Sequence, residues 1–139
     1  MESLIQSAEA KIASLPNAVY GDAAAPLEHQ YGDGCYVRRI TMPKGMLCTS
    51  KIHKKRHPFF ILSGDVSVLD NKGAEVTRYK APYYGMTEPG TKRLLYIHED
   101  TVWVTVHTTD KTDLKEIEDE IIEPSTIGGP ELEAICRGY

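Results

Sequence analysis

Residues 45–64 read GMLCTSKIHKKRHPFFILSG, and this stretch decides how the rest of the chain is understood. His53 and His57 stand four apart, a spacing that on a helix would put both imidazoles on one face and suit a metal ion. Pro58 overrules the helix. It pushes His57 toward extended backbone, and the aromatic and aliphatic run that follows reads as a strand. The pair therefore belongs on a hairpin or on the lining of a barrel, with Lys54, Lys55 and Arg56 between them as a solvated loop.

Outward from there, CYVRRIT (35–41), PFFIL (58–62), DVSVL (65–69), EVTRY (75–79), RLLYI (93–97) and TVWVTVH (101–107) carry strand composition. Pro43-Lys44-Gly45, Ser63-Gly64, Asp70 to Gly73, Gly85 and Pro89-Gly90 supply turn chemistry between them, and His98, Glu99 and Asp100 read as one more polar turn. No long helical pattern interrupts the run, which excludes a parallel α/β sheet and predicts an all-β sandwich or barrel.

The flanks differ from the centre. Leu4, Ile5, Ala8, Ile12 and Leu15 share a helical face that Pro16 ends, and residues 17–34 read as an irregular connecting segment. Leu114, Ile117 and Ile121 recur at helical spacing behind Thr112 or Asp113 as cap, with acidic residues opposite. The expected organisation is an N-terminal helix and connector (1–34), a β-barrel (35–109) and a C-terminal acidic helix with a tail (110–139).

The 139 residues, 41% apolar and 26% charged, suit one packed domain, and no apolar run approaches the roughly 18 residues of a membrane span. The opening MESLIQSAEAKIASLP lacks a basic start before an apolar block, so no secretory signal is read and the cytoplasm is the expected compartment. Cys35, Cys48 and Cys136 are odd in number, without a Cys-x-x-Cys pair, and are expected as free thiols. The net charge of −4 conceals a basic middle, since residues 35–93 carry 12 Lys or Arg against 4 Asp or Glu. Such a balance points to a local anion site rather than a surface for long nucleic acid.

Gly45, His53 and Gly64 fall at the spacings of the first cupin motif: Gly, five residues, His-x-His, three or four residues, Glu, six residues, Gly. Pro89-Gly90 and the step to Arg93 echo the Pro-x-Gly-x-x-His core of the second. The chain thus resembles the cupin superfamily over residues 35–109, and most of all the small cupin-fold proteins encoded by tailed bacteriophages. The resemblance implies a jelly-roll barrel with a degenerate metal site, because Lys51, His57 and Arg93 stand where that family places a His, a Glu and a His.

Ammonium and guanidinium groups carry no free lone pair, so Lys51 and Arg93 are not ordinary ligands. If Lys51, His53, His57 and Arg93 converge in the barrel mouth, they form a cationic cluster suited to phosphate or carboxylate oxygens. Trp103, Thr105 and His107 alternate with Val102, Val104 and Val106, and alternation alone does not say which set faces inward. With the Trp103 face inward, His107 joins His53 and His57 as a third imidazole; otherwise it is a strand-end residue near solvent. Tyr84 and Trp103 are candidate stacking partners for a planar ligand.

The leading expectation is a binder of an anionic, nucleotide-like molecule through Lys51, His53, His57, Arg93, Tyr84 and Trp103, in the setting of a phage counter-defence protein that sequesters or cleaves a host cyclic-nucleotide signal. If it cleaves, it does so as a metal-independent phosphodiesterase with His53, His57 and His107 as acid and base. No cofactor is expected, although His53 and His57 leave room for a divalent metal. The alternative is a metal-dependent cupin isomerase or dioxygenase acting on a sugar or small acid. No long nucleic acid and no membrane are expected as partners, and a homodimer or higher homo-oligomer is.

Overall fold

Two strands, one of 14 residues and one of 16, form the spine of the computed structural model: β5 (His57–Asp70) and β8 (Arg93–Thr108) pair antiparallel along almost their whole length. The structure describes residues 5, 7, 8, 10, 11, 18–20, 27–73, 75–123 and 135–137. β8 carries β3 (Cys35–Met42) along its C-terminal half and the short β4 (Leu47–Thr49) along its N-terminal half. β5 carries β7 (Tyr83–Thr87) beside its first half and β6 (Thr77–Lys80) beside its second. β2 (Leu27–Gly32) extends the sheet past β3, and β9 (Ile135–Arg137) and β1 (Ala18–Tyr20) extend it past β4. Each long strand therefore serves both layers of an all-β jelly-roll barrel.

The bend between the layers sits at Ser63, Gly64 and Asp65, where the β5–β8 register slips. His57, Phe59 and Ile61 face the interior before the slip, and Val66 and Val68 face it afterwards. An odd-to-even change of parity is what a bulge produces. It also corrects the reading of PFFIL and DVSVL as two strands joined by a turn. Likewise His98, Glu99 and Asp100 lie within β8 on the outside of the bend, which is why they are polar. Gly85 sits inside β7, where a Cβ would approach the Phe59 ring to 3.0 Å. The connector expected over residues 17–34 instead contributes β1 and β2; LEHQYG lacks β-branched residues, and its pairing with β3 overrides that composition.

The interior between the layers holds Met42, Met46, Cys48, Phe59, Ile61, Val66, Val68, Leu95, Ile97 and Trp103. A second apolar cluster joins Tyr36 to Ile117, Ile121 and Ile122 beneath the acidic helix α1 (Leu114–Ile121). Asp113, one of the two caps the sequence offers, caps that helix by accepting from the Glu116 amide. Burial of Ile117 and Ile121 contributes about 1.5–3 kcal/mol each to its docking. In the N-terminal segment, Ile5, Ser7, Ala8, Ala10 and Lys11 are helical and Ile5 is buried; Leu4, Ile12 and Leu15 of the expected face lie outside the described residues. No helix is long and apolar enough to cross a membrane among the described residues.

At Gly64 the backbone has φ +113°, and an added Cβ would lie 2.6 Å from the Thr101 Cα. Gly64→Ala should therefore cost about 3 kcal/mol, from backbone strain and from the steric clash with β8. Chemical denaturation of the variant against wild type measures it, and a loss below about 1 kcal/mol would show that the bend does not need glycine.

Candidate functional site

The β3, β5 and β8 inner faces converge at one end of the barrel. Tyr36 opposes His107 in the β3–β8 ladder, and His57 opens β5 beside them. His53 comes from the loop between β4 and β5, pinned by its carbonyl accepting from the Gly90 amide at 3.0 Å and by an isolated bridge to Ile122. The alternation left open along TVWVTVH is resolved: Trp103, Thr105 and His107 point inward, while Val102, Val104 and Val106 are half-buried on the outer face.

The result is a buried cluster of three imidazoles. Ring centroids are 4.4 Å apart for His53 and His57, 4.4 Å for His57 and His107, and 4.9 Å for His53 and His107. One nitrogen from each lies within 4.8 Å of the others. Desolvation, reinforced by the neighbouring imidazoles, Arg38 and Lys51, pushes His53 down to about 2. Burial first, then His57 and Arg38, push His107 down to about 3. His57 is also lowered, by burial more than by Arg93, against the opposing pull of its Lys55 hydrogen bond. All three are thus neutral at physiological pH and keep a lone pair. His57 Nδ1 lies 3.1 Å from the Lys55 carbonyl, which can only accept, so its proton sits there and Nε2 is the free nitrogen. His107 Nε2 exchanges a 2.8 Å hydrogen bond with Thr105 Oγ1.

A cavity of about 80 Å³ opens beside the cluster, lined by His53 and His57, by Arg93 and Thr87, and by apolar side chains that include Met42 and Trp103. Lys51 and Arg93 both reach it, but their surroundings differ. Lys51 Nζ forms an ion pair with Glu118 of α1 at 3.1 Å. Arg93 lies over the Phe59 ring at 5.0 Å and the Trp103 ring at 5.8 Å, and donates to Thr87 Oγ1 at 2.9 Å. Tyr84 is not brought to the site: it is 75% exposed on β7, stacked on Phe60, and lines no part of the cavity.

The basic run has a partner within the chain. Lys55 pairs with Glu120 at 2.7 Å, Lys54 Nζ donates to the Asp119 carbonyl at 2.9 Å, and Arg56 pairs with Glu88 at 2.7 Å. Lys51, Lys54 and Lys55 thus dock α1 on the β4–β5 loop. Behind the cluster, a void of about 10 Å³ separates it from the helix, with His29, Tyr36 and Glu118 in its wall. His29 Nδ1 and the Tyr36 hydroxyl are 2.6 Å apart.

Sequence reasoning missed Arg38, Thr87, Tyr36 and Glu118. Arg38 and Tyr36 share the inward parity of Ile40 and Met42 in CYVRRITM, so alternation held the signal for them. Nothing in the sequence pairs Glu118 with Lys51.

No protein-family model matches the sequence, and no curated protein matches it by sequence. Solved structures do match. Ectoine synthase from P. lautus superposes with a TM-score of 0.58 at 12% identity, over 86% of this chain and 88% of that one. A cupin 2 domain-containing protein from Halorhodospira halophila gives 0.54 at 10%, over 73% and 86%. An RmlC-like cupin family protein with a double-stranded β-helix fold, from Methanocaldococcus jannaschii, gives 0.52 at 16%, over 68% and 93%. These likenesses establish the fold, a small cupin-type barrel.

Removing one partner of the Lys51–Glu118 pair strands a charge that is 7% exposed. Glu118→Gln should destabilise the chain by about 1–3 kcal/mol, and Lys51→Met combined with Glu118→Leu should recover most of that loss. Denaturation of the single and double variants checks it; equal losses in both would show that the pair does not couple. Glu120 is held below the ordinary carboxylate range by its hydrogen bonds from Lys55 and Thr109. Its contribution is present above pH 4.5 and is lost as pH falls through the lower folded value.

Proposed function

We propose that this chain is a small-molecule-binding cupin that holds a divalent metal ion on His53, His57 and His107. The observation that carries the reading is the donor set itself: three buried imidazoles, neutral, with ligand nitrogens within 4.8 Å of one another. His57 donates its Nδ1 proton to the Lys55 carbonyl, an arrangement that orients a metal-ligating histidine. Such an ion would act as a Lewis acid on a ligand oxygen in the adjacent cavity. The chain's own residues do the rest. Thr105 and Lys55 orient two of the rings, Trp103 and Phe59 keep the cavity apolar, and Arg93 supplies positive charge to an anionic ligand. The activity class this supports is a metal-dependent isomerase or dioxygenase acting on a sugar or small acid.

A second reading needs no metal. There the cavity captures or cleaves an anionic nucleotide-like molecule, the role of a phage counter-defence protein, with the histidines as general base and acid. Arg93 in the cavity wall favours it. Against it stand His53 and His107, which burial keeps unprotonated and so without a proton to give as the acid. In either reading the setting is the cytoplasm and the chain acts as a homodimer or larger assembly. Leu62, Tyr84 and Met86, exposed on β5 and β7, supply an apolar outer face for self-association.

Native mass spectrometry tests these statements together. The expected species is a dimer or higher oligomer with one Fe, Mn, Ni or Zn per chain, and His57→Ala and His107→Ala each lose at least 90% of the metal while staying folded. A folded wild type that takes up none of these ions on reconstitution refutes the metal site. Conversion of a cyclic dinucleotide to linear product by EDTA-treated protein would establish the second reading instead.

A further inference from the structure

We propose that the cavity binds a small monocarboxylate, its carboxylate gripped by the Arg93 guanidinium and its apolar body lying against Met42, Leu95 and Trp103. The proposal rests on the cavity being the ligand site and does not require the metal. Its starting point is a mismatch of charge. Lys51, Lys55, Arg56 and Arg78 each pair with a carboxylate of the chain at 3.1 Å or less. Arg93, among the described residues, pairs with none.

Asp70 faces Arg93 across the β5–β8 ladder, but its Oδ1 is engaged by the Lys72 and Gly73 amides at 2.8 and 2.9 Å, closing the β5–β6 turn. Of the five N–H donors a guanidinium carries, one is taken, by the neutral Thr87 hydroxyl. The cation is also desolvated, since burial is what lowers its affinity for its proton most. Asp70 attracts the cation from across the ladder but forms no ion pair with it, and a half-buried guanidinium with unfilled donors is an arrangement that an incoming anion relieves.

The geometry of the group narrows the anion. Phe59 and Trp103 hold the guanidinium carbon at 5.0 and 5.8 Å from their ring centres, which fixes the fork in place, and a fixed planar fork matches the two oxygens of a carboxylate. Charge points the same way within the cavity wall, where Lys51 is committed to Glu118 and Arg93 forms no ion pair, so a single negative charge is the smallest load that fills the fork. Ile40, Met42, Cys48, Leu95 and Trp103 form the apolar part of the wall of this cavity of about 80 Å³. A short-chain acid of about four carbons matches the single charge and the apolar wall.

Calorimetric titration of the full chain, once EDTA-treated and once metal-reconstituted, with butyrate, butyramide, inorganic phosphate and adenosine monophosphate tests the proposal. Butyrate is expected to bind one per chain, and butyramide, equal in shape but uncharged, at least tenfold more weakly. Arg93→Lys keeps the charge and loses the fork, and should weaken butyrate at least tenfold with the metal content unchanged. Should Arg93→Lys fail to fold, Thr87→Val, which frees one side of the fork, should weaken butyrate three- to tenfold. Equal binding of butyrate and butyramide, tighter binding of phosphate or adenosine monophosphate than of butyrate, or undiminished affinity in the folded variants would each overturn it. Butyrate binding in a protein that takes up no metal would sustain this inference while ending the metal reading. Metal uptake with no butyrate binding would do the reverse.

Discussion

The antiparallel ladder between β5 and β8 is the constraint on which everything else in this molecule depends. Because both strands are long enough to cross from one layer to the other, a single set of backbone hydrogen bonds fixes the distance between the layers and the parity of every inward side chain. His57 and His107 meet because they lie at the same end of that ladder, and Arg93 and Asp70 face each other at its opposite end. Phe59 and Trp103 stack between these ends with ring centres 4.8 Å apart, joining the imidazole end of the cavity to the guanidinium end.

Much of this architecture was legible in the sequence, because period-two alternation and Gly/Pro punctuation are local signals. The turns at Pro43 to Gly45 and Asp70 to Gly73, the acidic helix with its Asp113 cap, and the barrel class all follow from such signals. What failed was local as well. The bulge at Ser63 to Asp65 looks like a turn because a parity change and a glycine are what a turn also shows, and only the partner strand tells the two apart. LEHQYG is unremarkable alone and becomes a strand through β3.

The site was legible in part for a different reason. Motif spacing located His53 and His57, while His107 depended on which face of β8 is interior, a long-range fact. Tyr84 was a candidate on composition and lies on the outer face. The basic middle of the chain was read as one anion site, yet Lys51, Lys54 and Lys55 meet α1, and Arg56 and Arg78 meet Glu88 and Asp65. The ion pairs also separate Lys51, committed to Glu118, from Arg93 in the same cavity wall, a distinction no charge count along the sequence can make.

The position of α1 has one more consequence. With the helix and its Lys51–Glu118 clasp packed across the rear of the three imidazoles, traffic to them runs through the chamber on the Arg93 side. Along that route, among the described residues, an occupant beside Arg93 stands between solvent and the imidazoles, so the deeper position fills first and empties last.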